Sequence, residues 1–274
     1  MLDLHCTTGT PGVVAALLPL AVIPVGDLSV IAGVPMRPDA RLIMWGSSSL
    51  IANTIARNTM VSQDCIDPIH GEDINLGATS LQNLDYHFTN IPYKTGARVI
   101  SQGTNTAQTA TSLGATLDYY EGGSVIPAQG LLFHESKIVL PQVLVADVAV
   151  AWTTTPFAPA IAIPNGKYAL LGANITVTTE GHFFRFIHSD FGSFIPGFPG
   201  CGQSNSAILG LQKTPKDWLQ CSPGYQFVTL SELTGKPCVP VFTVSNAGTG
   251  LLIQSISGAA TDTPNISLNL VKVG

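Results

Sequence analysis

Apolar and polar residues alternate one by one along two stretches of the chain that read as copies of each other: residues 95–120 (TGARVISQGTNTAQTATSLGATLDYY) and residues 249–271 (TGLLIQSISGAATDTPNISLNLV). Each opens on Thr-Gly, runs through an apolar segment, crosses a loop rich in Thr, Ala and Asn, and ends in strict alternation. The endings match position by position, Ala115-Thr116-Leu117-Asp118-Tyr119 against Ile266-Ser267-Leu268-Asn269-Leu270. A period of two turns one face of a strand to a core and the other to water or a neighbour. The pattern predicts a long β-hairpin closing a domain in each copy. A hairpin's apolar face needs a second sheet, so finding it mid-chain and again at the end predicts two antiparallel β-sandwiches in tandem. A second echo keeps the same order: Val34-Pro35 leads into Ala40-Arg41-Leu42-Ile43, as Ile163-Pro164 leads into Tyr168-Ala169-Leu170-Leu171. The second copy is longer between this element and its closing hairpin, which predicts an insertion.

In chain order, residues 1–12 read as an N-terminal arm along a neighbour, and 13–123 as the first sandwich. A short helix is expected over 49–57 (SLIANTIAR). A polar stretch broken by Gly-Gly and Pro marks the join, with the linker at 124–130. The second sandwich, 131–274, predicts strands at 131–134, 137–140, 143–152, 160–163, 168–178, 226–230 and 239–244. Residues 181–188 (GHFFRFIH) carry aromatics on both alternating faces, the pattern of a strand buried on two sides. The insertion, about 189–224, contains FGSFIPGFPG and then TPKDWLQ, a short helix with Thr214 as cap and Pro215 at its first position. Phe191, Phe194, Ile195 and Phe198 are either tucked under their own sandwich or pressed into another subunit. The second option is the expectation taken here, with Trp218 beside them as part of a subunit interface.

Composition sharpens this picture. Charged residues are 11% of the chain, against roughly 25% in an average soluble domain, while hydrophobic residues are 45%. A chain so poor in charge exposes uncharged and apolar area of the kind that marks permanent interfaces, so an obligate assembly with itself is expected. The net charge of −5 and the lack of any Lys/Arg run argue against direct nucleic-acid binding. The apolar run at 13–25 (VVAALLPLAVIPV) is too short to span a bilayer, is broken by Pro19 and Pro24, and lacks a signal peptide's basic flank. A buried strand is the expectation there, an apolar foot on a membrane the alternative. Cys6, Cys65, Cys201, Cys221 and Cys238 have no C-x-x-C spacing and read as buried free thiols, with a Cys201–Cys221 bridge at the base of the inserted loop as the alternative.

Catalytic signatures are missing from the sequence: no G-x-S-x-G, no H-E-x-x-H, no phosphate-cradling glycine loop before a helix. The cluster at 64–73 (DCIDPIHGED) matches no calcium or zinc spacing and is expected to be a solvated acidic loop. His182 and His188 with Asp190 form the densest titratable group nearby, but strand rise puts the two rings about 20 Å apart, too far for one metal. The expectation is a protein without cofactor, metal or enzymatic activity.

The paired Thr-Gly stretches, the Val34-Pro35 and Ile163-Pro164 echoes and the closing strands, in a low-charge chain with one enlarged half, resemble the double jelly-roll major capsid proteins of tailless icosahedral viruses. The resemblance covers residues 13–273 at the level of architecture. It implies that each sandwich is a jelly roll, and that three chains form a pseudo-hexagonal capsomer which tiles a shell. It also implies a place in the virion after assembly in the host cytoplasm, with minor capsid proteins or an internal membrane as further partners. Two other classes fit the same pattern. A secreted tandem β-sandwich that binds carbohydrate would show an aromatic platform at Trp45, Trp152 or Trp218, and a surface-layer or filament subunit would form open arrays.

Overall fold

The computed structural model describes the strands of residues 2–119 as backbone alone. It describes residues 124–274 with side chains, apart from 149–150, 177–181, 193, 199–223 and 257–262, of which 181, 199–201 and 257 are described as backbone. The chain is all-β, with antiparallel sheets and few helices. Eight strands form the first half: β1 (Leu2–Gly9), β2 (Ile23–Val25), β3 (Arg41–Ser49), β4 (Thr54–Val61), β5 (Gly71–Leu76), β6 (Leu84–Pro92), β7 (Arg98–Thr104) and β8 (Ser112–Tyr119). The second half holds β9 (Val125–Ile126), β10 (Lys137–Val143), β11 (Thr153–Pro156), β12 (Gly166–Thr176), β13 (Gly181–Ile187) and β14 (Gly197–Cys201). It continues with α1 (Gln226–Thr234), β15 (Val239–Val244), β16 (Leu252–Ser257) and β17 (Asn265–Lys272).

The sheet orders carry the main result. The first half gives β1-β8-β3-β6 and β2-β7-β4-β5; the second gives β10-β17-β12-β15, extended by β9, and β11-β16-β13-β14. Each strand of the first half has its counterpart nine labels later. Even an irregularity repeats: the ladder slips between Leu42 and Met44 in β3, and between Leu170 and Gly172 in β12. Ile43 and Leu171 are thus the extra residues of two β-bulges at one equivalent place. Fixed by these bulges, however, Leu42 pairs with Asp118 and Leu170 with Leu270. The closing strands therefore correspond one residue off the match that alternation suggests.

The structure corrects several expectations. The long hairpins do not exist as hairpins: β7 and β8 lie in different sheets, as do β16 and β17. Alternation states which face of a strand is buried but not which strand lies beside it, and here the two strands face each other across the core. The N-terminal arm is strand β1, paired with β8 from Leu2↔Tyr119 to Gly9↔Ser112. Leu2, Leu4 and Cys6 alternate with Asp3, His5 and Thr7, a period that the reading of an arm passed over. Residues 54–57 belong to strand β4 and not to a helix, and Glu72 and Asp73 lie in strand β5 and not in a loop. The linker is partly a strand, since β9 pairs with β15.

In the second half, residues 131–133 form a 3₁₀ turn, 160–163 form no strand, and the expected strand at 226–230 is helix α1. Phe227 and Leu230 fall three apart, and Gly235 ends the helix in the left-handed conformation that glycine adopts without steric cost. Residues 197–201 form strand β14 within the expected insertion, hidden by Gly and Pro. The extra length lies between β14 and β15, at 202–238, where the first half needs only 77–83. The expected helix at 214–220 lies outside the described residues, as does the run at 13–22.

The core of the second half draws on both sheets. Tyr168, Leu170 and Leu268 come from one side, Phe184, Phe186 and Ile253 from the other. Phe184, Phe186, Phe198 and Phe227 form one aromatic cluster, with ring centroids 5.3–6.3 Å apart. Residues 182–186 of β13 are all buried, as aromatics on both faces require. Helix α1 is seated by its first residue: the Gln226 amide donates to the Ala173 carbonyl (2.7 Å) and accepts from the Ala173 N–H (2.9 Å). This doubles as a ladder at the bulge. A side chain at Gly172, φ +148°, would fall on Gln226, so glycine there is what lets the helix approach.

Candidate assembly surface

The residues expected at a subunit interface are placed differently by the structure. Phe191, Phe194 and Phe198 belong to the chain's own core, at 1%, 7% and 0% exposure. Phe191 packs edge-on against Phe242 at 6.5 Å, and Ile195 is half-buried. Large apolar groups spaced by Gly and Pro must be buried, and here the nearest cover is their own sandwich. Trp218 lies outside the described residues. Of the aromatic platform, Trp152 is covered: the Arg185 guanidinium carbon stands 3.9 Å from its ring centroid. Arg185 Nε in turn donates to Gln254 Oε1 at 2.5 Å. Nothing is described of the Trp45 and Trp218 side chains.

Among the described residues the exposed large apolar side chains are Phe133, Ile161, Val273 and four valines that follow one another along one flank. Strand β10 is the edge of its sheet, and Val139 and Val143 on it are 52% and 60% exposed. The segment 144–148 then crosses to β11, the edge of the opposite sheet, and continues the stripe with Val145 and Val148. This crossing is held residue by residue. Leu144 is buried, and its N–H donates to the Pro264 carbonyl at 2.8 Å. Val145 N–H donates to Thr155 Oγ1 (2.9 Å) and Val148 N–H to Thr153 Oγ1 (3.1 Å). Gln142 bridges the two edges, donating to the Pro156 carbonyl and accepting from Ala158 N–H. The sequence reading took this stretch as one strand from 143 to 152. The signal it missed was the Thr153/Thr155 pair, whose hydroxyls can take the place of a ladder.

The peg of the crossing is Asp147. It is fully buried, lies 3.0 Å from His182 Nε2, and accepts a hydrogen bond from the Ser255 hydroxyl. Ser, Asp and His side by side invite comparison with a nucleophilic triad, but the order differs. The carboxyl group stands between the other two, so the serine proton points at Asp147 and not at the His182 ring. Ser255 and His182 are also closed to solvent. What the arrangement does is pin 144–148 to the sheet and turn Val145 and Val148 outward.

His188 belongs to a separate place. Its Nδ1 accepts from Asp190 N–H (3.0 Å) and its Nε2 donates to the Thr249 carbonyl (3.1 Å), while Asp190 Oδ2 accepts from Thr243 N–H (2.7 Å). The two histidines therefore form no common site. Among the described residues no cluster of His, Cys, Asp or Glu could hold a metal ion, and no helix is long and apolar enough to cross a membrane. Burial pushes the Cys238 thiol and the Tyr168 hydroxyl above their ordinary values.

No protein-family model and no curated protein matches the sequence. Among solved structures the chain is similar to one described for the triple jelly-roll fold and turret assembly in an archaeal virus. That match has 9% identity and TM-score 0.21, and covers 86% of this chain and 54% of that one. A second match is to Sulfolobus Turreted Icosahedral Virus, with 10% identity, TM-score 0.20, 87% of this chain and 56% of that one. A third is to the major capsid protein P2 of bacteriophage PM2, with 8% identity, TM-score 0.23, 100% of this chain and 98% of that one. The chain spans about half the length of the first two. At these values the likeness is one of outline, and the functional reading below rests on the chain's own strand order and surface.

Proposed function

We propose that the chain is a structural subunit of a virion shell: two jelly rolls in tandem, over about 2–119 and 125–272, three copies of which form a pseudo-hexagonal capsomer that tiles an icosahedral surface. The observation that carries the reading is the strand order. Eight strands distributed 1-8-3-6 and 2-7-4-5 over two sheets, an order that recurs nine labels later, support a jelly roll in each half. Low charge supports a life in permanent contact, and the exposed valine flank supports contact with another chain. Apolar area buried between chains, at about 25 cal/mol per Å² less the cost of association, holds such a trimer. The acidic balance suits a coat that leaves genome packing to other components.

The test is size-exclusion chromatography with light scattering. A mass near three times 28.7 kDa supports the reading, and a stable monomer at every concentration removes it. Electron microscopy of assembled material then separates closed shells from the open arrays of a surface-layer or filament subunit.

A further inference from the structure

The flank of β10 is apolar and exposed, while its counterpart in the first half lies beside another strand of the chain. Strand β1 is the counterpart of β10, and β14 the counterpart of β5. Within the chain β1 and its neighbour β8 lie beside β14. One half therefore already presents its opening strand to the fifth strand of the other half. Repeating that contact requires the opening strand of the second half, β10, and the fifth strand of the first half, β5. Both are edges of their sheets.

From this equivalence we infer that the β10 flank, Val139, Val143, Val145 and Val148, receives the β5 edge of a second copy of this chain, in a head-to-tail contact that mimics the one inside the chain. The inference rests on the assembly reading above and names the two surfaces that such an assembly uses. A head-to-tail contact has two different faces, so each chain offers one of each and a closed ring leaves neither exposed. The contact packs side chains and does not extend a sheet, because Pro141 stands in β10 without an N–H to give to an added strand. The stripe is fixed in advance by Asp147, Thr153 and Thr155, so docking orders no loop and loses little conformational freedom. Four valines form the water-excluding centre of such a contact; a stable one covers about 800 Å² on each partner, so the surface around the stripe takes part.

The experiment uses the full chain in two double variants, Val143→Asp with Val148→Asp, and Asp73→Arg with Asn75→Arg. Circular dichroism and thermal unfolding establish that each folds; both valines are more than half exposed. Light scattering should show a trimer for the unaltered chain and a threefold loss of mass to monomer for each variant alone. An equimolar mixture of the two should give a species of two chains and no more, since one intact pair of faces survives. A β10 variant that still forms the trimer overturns the inference. So does a β5 variant that stays trimeric while the β10 variant falls apart, because the stripe then meets its own copy and not β5. If the β5 variant does not fold, amide hydrogen exchange decides: residues 71–76 should exchange more slowly in the trimer than in the monomeric β10 variant, and equal rates overturn the inference. A monomeric unaltered chain would instead remove the assembly reading itself.

Discussion

Asp147 is a carboxyl group sealed inside a sandwich, with the Ser255 hydroxyl donating to one oxygen and His182 Nε2 3.0 Å from the other. Removing it takes the acceptor from the buried Ser255 hydroxyl, and a buried polar group left unpaired costs about 1–3 kcal/mol. Asp147→Ala should therefore lower the unfolding free energy by that amount in urea titration, and an unchanged midpoint would mean that the pair contributes nothing. Cys238 gives a test in the other direction along the pH scale. Burial lifts its thiol above the ordinary 9.0, so the folded state holds the proton more tightly than the unfolded chain. The stability this supplies is complete below about pH 9 and is lost as pH rises through the folded value; the Tyr168 hydroxyl, raised from 10.0, adds a loss of the same sign slightly higher. Unfolding free energy should thus fall above pH 9, and Cys238→Ala should lessen that fall. The residue scale also holds the least legible part of the candidate site. Phe191, Phe194 and Phe198 announce burial, but no pattern in one sequence says whether the cover comes from the same chain or the next. Val139 and Val143, on the exposed face of β10, look like ordinary strand residues until the edge is known.

At the scale of elements, α1 and the bulge beneath it form a single device. Gln226 pairs both backbone groups of Ala173 on the side of β12 where the ladder to β15 has ended at Ala169. Gln226→Ala strands the buried Ala173 N–H, at about 1–3 kcal/mol for a group left unpaired, while the Ala173 carbonyl keeps the Gly224 N–H at 3.2 Å. Urea unfolding should report a loss in that range, with the helix signal in circular dichroism reduced. The sequence made β12, β13 and β15 legible, since each is long or strongly patterned. It hid α1, because Phe, Val and Thr favour strands when counted locally, and the decisive contact with Ala173 is 53 positions away. Strand β14 was obscured for the opposite reason, as Gly and Pro in GFPGC signal a turn.

For the whole molecule, duplication was legible and its wiring was not. The Thr-Gly stretches and the Leu42/Leu170 echo fall on equivalent strands of the two halves, and the echo falls on equivalent bulges. A period of two fixes faces and leaves neighbours open, so strands that cross between sheets looked like hairpins. Since the described core residues of the second half form one cluster of their own, a chain of residues 124–274 should fold without the first half. A cooperative thermal transition followed by circular dichroism checks this, and a broad transition without a baseline would show that the halves fold only together.

Pro141 bears on how such a chain escapes fibrous aggregation while it is being made. Newly synthesised copies with so few charges have little mutual repulsion to keep them apart, and an open valine-rich edge is a template on which cross-β stacking can begin. A missing amide hydrogen in the outermost strand interrupts that zipper at its first step.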